Sequence, residues 1–205
     1  VVQSLLNKAG CRVIVPARVE GLCCGMPYDS KGMVEVAAAK RSELAEALWQ
    51  ASEQGRWPVL LDTSPCVQRL LSGALGKGLR VFEPSDFVLE HLLPHLELTP
   101  IDETVMLHIT CSSRRMGLGD KMLALARACA REVIVPEHIQ CCGFAGDKGL
   151  MTPELNAAAL ASLPAQVPND CRQGFSNSRT CEMGLSQHAG IPYHSILYLV
   201  DQAAR

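Results

Sequence analysis

Aromatic side chains make up only 4% of the 205 residues, too few to lay out the stacking faces that hold single-stranded nucleic acid. A surplus of charge is lacking as well. The formal net charge is −2 with 20% of residues charged, so neither a polyanion nor an anionic lipid surface is required as a partner. No apolar run approaches the roughly 20 residues that span a bilayer, and no basic-then-apolar leader opens the sequence as given. There is no glycine fingerprint for a dinucleotide and no evident acid–base pair. The expected setting is therefore the cytoplasm, free or docked peripherally on the inner membrane face. With 48% hydrophobic residues the chain can bury one sizeable core or two small ones.

Cysteine, by contrast, is abundant: there are ten. Cytoplasmic thiols stay reduced, so metal or redox work explains them better than a disulfide framework. Two adjacent pairs, Cys23-Cys24-Gly25 and Cys141-Cys142-Gly143, each follow a β-branched run ending in proline, Arg12 to Pro16 and Glu132 to Pro136. A further cysteine lies downstream of each pair, Cys66 after Asp62-Thr63-Ser64-Pro65 and Cys181 after Ser176-Asn177-Ser178-Arg179-Thr180. The offset between copies is 115 to 120 residues, which reads as a domain-scale duplication rather than a solenoid. The expected halves are 1–100 and 101–205, with the boundary in the aperiodic stretch 96–102. The second half also carries Cys111, whose counterpart would fall ahead of Val1, so the first site is expected to lack one ligand and the chain to be a fragment.

Each half alternates strand-like and helix-like stretches. Strands are expected at 12–16, 59–62, 80–83, 104–109, 132–136 and 174–177, and helices at 42–54, 67–75, 86–93, 121–130, 154–163 and 195–204. Gly55, Gly76 and Gly78 act as helix stops, and Pro84 and Pro153 stand at helix starts. This alternation predicts an α/β fold of two pseudo-repeated halves, each a small, mostly parallel sheet with crossover helices. In such sheets ligands bind beyond the carboxyl ends of the strands, and that is where the cysteines fall.

Four thiolates suit a [4Fe-4S] cluster, and the second half offers Cys111, Cys141, Cys142 and Cys181. The first offers Cys23, Cys24 and Cys66. Zinc is the main rival, but neighbouring residues do not easily take two corners of one tetrahedron, whereas a multi-iron core spreads its corners. Gly25 and Gly143 allow close backbone approach and an unusual φ. Cys11, Cys129 and Cys171 read as small core side chains. His91, His95 and His108 read as structural, while His138, His188 and His194 are candidates for hydrogen bonding to a cluster. Arg114, Arg115 and Arg179 flank the cysteines, and Asp29, Lys31, Asp147 and Lys148 read as solvated turn residues.

The two CCG motifs with their outlying cysteines resemble the tandem cysteine-rich (CCG) domain found in heterodisulfide reductases, glycolate oxidase iron–sulfur subunits and lactate utilisation proteins. The phrases around Gly21 to Pro27, Asp62 to Cys66, Cys141 to Asp147 and Ser176 to Cys181 are most similar to the version fused behind FAD domains in D-lactate or D-2-hydroxyglutarate dehydrogenases. That family's last motif is C-x-x-C, and here Thr63 and Ser178 replace its first cysteine. The resemblance therefore implies plain electron transfer rather than a five-thiolate noncubane cluster. It further implies FAD on a separate, more N-terminal domain, a D-2-hydroxy acid substrate and a downstream electron acceptor. The alternatives are a zinc-binding or metal-free scaffold module, or a heterodisulfide reductase-type thiol redox component.

Overall fold

A computed structural model describes residues 1–73 and 78–205. Its elements in chain order are α1 (Val2–Lys8), α2 (Met26–Asp29), α3 (Val34–Ala51), β1 (Val59–Leu60), α4 (Ser64–Leu71), β2 (Val81–Phe82), α5 (Pro84–Phe87), β3 (Ile101–Leu107), α6 (Cys111–Arg115), α7 (Gly119–Cys129), β4 (Ala130–Ile134), α8 (Pro153–Ala159), β5 (Gly174–Ser176), α9 (Arg179–Ala189), β6 (Tyr193–Ser195) and α10 (Ile196–Ala203). The fold is α/β. One sheet pairs β1 with β2 and the other runs β4-β3-β5-β6, with every named pairing parallel. The expected end of a helix at Leu75 and the stop at Gly76 lie outside the described residues.

β3 is the organising strand of the larger sheet. Its residues Thr104 to Leu107 are buried because β4 covers one edge, β5 the other, and both faces are packed. Alternation along the strand sends Val105 and Leu107 into one core and Met106 into another. The first core is closed by α7, whose Met122, Leu125, Ala126 and Cys129 recur at helical spacing, and by α10. It also takes Leu5 and Leu6 of α1 together with Phe87, Val88 and Leu92, so residues from before and after position 100 share one interior. The second core lies on the opposite face, where α9 brings Cys181, Leu185 and Ala189 against Met106, Cys142 and Phe144. A third joins Cys24 with Leu44 and Leu48 of α3 and Leu70 of α4.

The expected strand at 12–16 does not form. Its equivalents at 132–134 are held in register by β3, through Thr104 opposite Glu132, Val105 opposite Val133 and Met106 opposite Ile134. Among the described residues nothing equivalent to β3 lies beside 12–16. A strand exists only through its neighbour, and without one Val13, Ile14 and Val15 remain 40%, 47% and 63% exposed despite their β-branched character. Other differences are of extent. α3 begins at Val34 rather than at 42, and the helix starting at Pro84 passes through a wide turn at Val88–Leu92 into a tight one at Leu93–His95. α6, α9 and β6 were not anticipated from the periodicity.

Candidate metal centre

The cysteines sit where the strands end. Cys111 opens α6 just beyond β3, Cys181 lies in the first turn of α9 just beyond β5, and Cys66 lies in the first turn of α4 just beyond β1. The vicinal pairs come from loops pinned by their glycines. Gly25 has φ +86° and a Cβ there would stand 2.3 Å from the Ala37 carbonyl oxygen, while Gly143 has φ +78° and a Cβ would stand 2.4 Å from the Leu155 carbonyl oxygen. Each loop is thus pressed against the backbone in the first turns of a neighbouring helix, α3 or α8. In the second loop the Asn156 side chain also donates to the Cys142 carbonyl. Gly184 of α9 makes room for Asn156 and Phe144, since any side chain there would overlap them.

The result is two matching sulfur constellations. Cys24 and Cys66 approach to 2.9 Å, as do Cys142 and Cys181. The amide of Gly25 donates to Cys23 Sγ at 3.4 Å, and that of Gly143 to Cys141 Sγ at 3.4 Å. Cys111 and Cys142 both act on the charge of Cys141, so the four sulfurs of the second half lie close to one another, with Cys142 and Cys181 in direct contact. Cys142 and Cys181 are buried, Cys111 is half-buried and Cys141 is exposed, giving the set one open side.

Charge on the sulfurs follows from this crowding. The hydrogen bond with Cys66 holds Cys24 below the usual thiol range, at about 6, and the same bond together with burial pushes Cys66 up. Hydrogen bonds from Cys111 and Cys142 hold Cys141 low, whereas Cys111 and Cys142 are pushed up by those bonds and by burial. One sulfur of each set is thus favoured as thiolate, and its neighbours could ionise beside it only with a cation to balance them. Four convergent soft donors beyond the strand ends suit a metal cluster. Among the described residues no group of three or more His, Cys, Asp or Glu side chains is arranged to hold a single metal ion. The 2.9 Å pairs are also tighter than the roughly 3.8 Å that separates two sulfurs on one tetrahedral zinc with bonds of about 2.3 Å. The paired sulfurs would therefore have to separate on binding.

Between the two constellations lies a buried polar network that sequence reading missed. Thr110 Oγ1 donates to Asn177 Oδ1 at 2.9 Å and accepts from the Ser113 amide at 3.2 Å, capping α6. Asn177 Nδ2 donates to Glu83 at 2.6 Å and to Ser113 Oγ at 2.8 Å. Ser64 meets Ser113 Oγ at 2.8 Å, and its amide donates to the Asn177 carbonyl at 2.9 Å. Glu83 is fully buried, and burial raises its carboxyl above the usual range. The only sequence signal was the density of Ser, Thr and Asn just after each strand. The two CCG loops also touch: Lys31 pairs with Asp147 at 2.8 Å, and Ser30 Oγ donates to the same carboxylate at 3.3 Å. Lys31 and Asp147 are thus joined across the loops instead of being independent solvated turn residues.

Of the flanking candidates, Arg179 pairs with Glu182, Arg114 donates to the Ile109 carbonyl, and His194 stacks on Tyr198. His138 is exposed at φ +62°, and His91 packs on Phe82 and Phe87. Cys129 and Cys171 are core side chains, and Cys11 packs half-buried against the first core. His108 is buried as expected of a structural residue, but its position gives it a measurable role. Its Nδ1 meets Ser176 Oγ at 3.1 Å, and its Nε2 is buried without a partner among the described residues. Burial lowers the imidazole from its ordinary 6.5 to about 4. The unfolded chain therefore binds the extra proton first, and the stability carried by neutral His108 is complete above pH 6.5 and lost as pH falls toward 4. The expected loss over that window is about 3 kcal/mol. Urea unfolding of the metal-free protein at about pH 7 and about pH 4 should show a smaller loss in His108→Gln than in wild type; equal losses would contradict the assignment.

Residues 105–185 match the family model of the CCG cysteine-rich domain. The matched stretch holds Cys111, Cys141, Cys142 and Cys181. No curated protein and no solved structure matches the chain. Among the described residues no helix is long and apolar enough to cross a membrane.

Proposed function

We propose that this chain is an iron–sulfur electron-transfer module of a larger FAD-linked oxidoreductase acting on a D-2-hydroxy acid. The observation that carries the reading is the gathering of Cys111, Cys141, Cys142 and Cys181 beyond the ends of β3 and β5, with Cys142 and Cys181 2.9 Å apart. Those four residues would hold a [4Fe-4S] cluster, which when bound exchanges single electrons. Cys23, Cys24 and Cys66 would form the ligands of a second site in the first half, with residues 1–100 and 101–205 as the two copies. The protein's own part is to hold the sulfurs at one rim, to keep Cys142 and Cys181 from water and to leave Cys141 as the exposed edge toward an acceptor. Oxidation of the hydroxy acid belongs to a flavin on a separate domain of the same polypeptide, because this chain has no nucleotide fingerprint.

Anaerobic purification followed by iron, acid-labile sulfide and zinc analysis tests the metal directly. Iron and sulfide in equal amounts, about four of each per occupied site, are expected. Stoichiometric zinc without sulfide would replace this reading with a scaffold role.

A further inference from the structure

An apolar cavity of about 860 Å³ lies between residues 11–16 and β1. It has two apolar walls. Leu6 of α1 and Phe87 line it from one side, Leu44 and Leu48 of α3 from the other. These are members of two different cores, the shared one and that of the first half. β3 lies between two such walls in the larger sheet, with Val105 and Leu107 facing one core and Met106 the other.

The edges of the cavity match as well. Met106 and His108 donate to the carbonyls of Gln173 and Phe175 at 3.2 and 2.9 Å. The places of those two residues are taken in the smaller sheet by Pro58 and Leu60, because Val59 pairs with Val81 as Gly174 pairs with Tyr193. Among the described residues no hydrogen bond reaches the Pro58 or Leu60 carbonyl, and none uses the amides of Arg12 to Val15. A slot with two apolar walls and two unpaired backbone edges fits an extended strand whose side chains alternate between faces. A helix satisfies its own backbone and would leave both edges bare.

We infer that this slot seats a β-strand of β3's chemistry, running parallel to β1 and supplied by the same polypeptide from ahead of α1. The source follows from topology: α1 leads into 11–16 as α7 leads into β4, both helices pack on α10, and β3 lies ahead of α7. A cysteine at the end of that strand would stand to Cys23, Cys24 and Cys66 as Cys111 stands to its own set; this last point rests on the proposed metal reading, whereas the strand itself does not.

The test joins a copy of residues 101–120 directly ahead of Val1, in two versions with cysteine or serine at the copied position 111. Hydrogen exchange is then followed at residues 13–15 and 60. Both versions should slow exchange there at least tenfold relative to the 205-residue chain, and unchanged exchange in both overturns the inference. Protection of the same amides that grows with concentration in the unextended chain also overturns it, in favour of a second copy in the slot. Bound iron after reconstitution reports separately: a gain in the cysteine version alone supports the thiolate, while protection without such a gain leaves the strand standing and removes the metal reading of the first site.

Discussion

Cys142→Ser is expected to lower iron bound at the second site from about four atoms to fewer than one, with little change in fold. Cys142 is a buried member of its set, next to Cys141 in the chain and lying 2.9 Å from Cys181. Serine preserves the size and loses the soft donor, so packing survives while affinity does not. The proper control is Cys171→Ser. Cys171 is just as buried, in the same core, but its Sγ donates to the Gln173 carbonyl at 3.4 Å rather than meeting another sulfur. Iron content and electron paramagnetic resonance of reconstituted protein should distinguish the two. An unchanged spectrum in Cys142→Ser would remove that residue from the ligand set.

Gly143→Ala should be strongly destabilising. The residue holds φ +78°, where a side chain is already strained, and the added Cβ would meet the Leu155 carbonyl oxygen at 2.4 Å and the Asn156 Cα at 2.8 Å. Both are backbone atoms at the start of α8 that cannot swing away. A loss of about 3 kcal/mol or more is expected, equivalent to roughly 6–12 °C in melting temperature for a chain of this size. Because Asn156 anchors the Cys142 carbonyl, the strain should also disturb the sulfur rim. A melting point within about 2 °C of wild type would show that the loop can retreat from α8. At Gly117, also at positive φ but with open space around it, alanine should cost only the strain of the backbone conformation.

The gathering of the cysteines was legible in the sequence because a repeated CCG after similar β-branched runs is a local pattern. Strand positions 59–62, 80–83, 104–109, 132–136 and 174–177 each contain or overlap an observed strand for the same reason. The reading failed where structure depends on a distant neighbour. Residues 12–16 carry as strong a strand pattern as 132–136, yet a ladder requires a second backbone, and local pattern does not say whether one is there. α9 escaped because its apolar stripe, Leu185 and Ala189, is sparse and interrupted by Gly184, a residue whose value appears only once Phe144 and Asn156 are packed against it. The Thr110, Ser113, Asn177 and Glu83 network joins residues up to 94 positions apart, and nothing local marks such pairs.

The interior formed jointly by α1, Phe87 and Leu92 with β3, α7 and α10 means that neither side of position 100 owns a complete set of walls. Severing the chain near position 100 would bare a broad oily surface on each piece, the kind that drives clumping in water. The two sulfur sets lean on a common keel, so whatever loosens the keel slackens both.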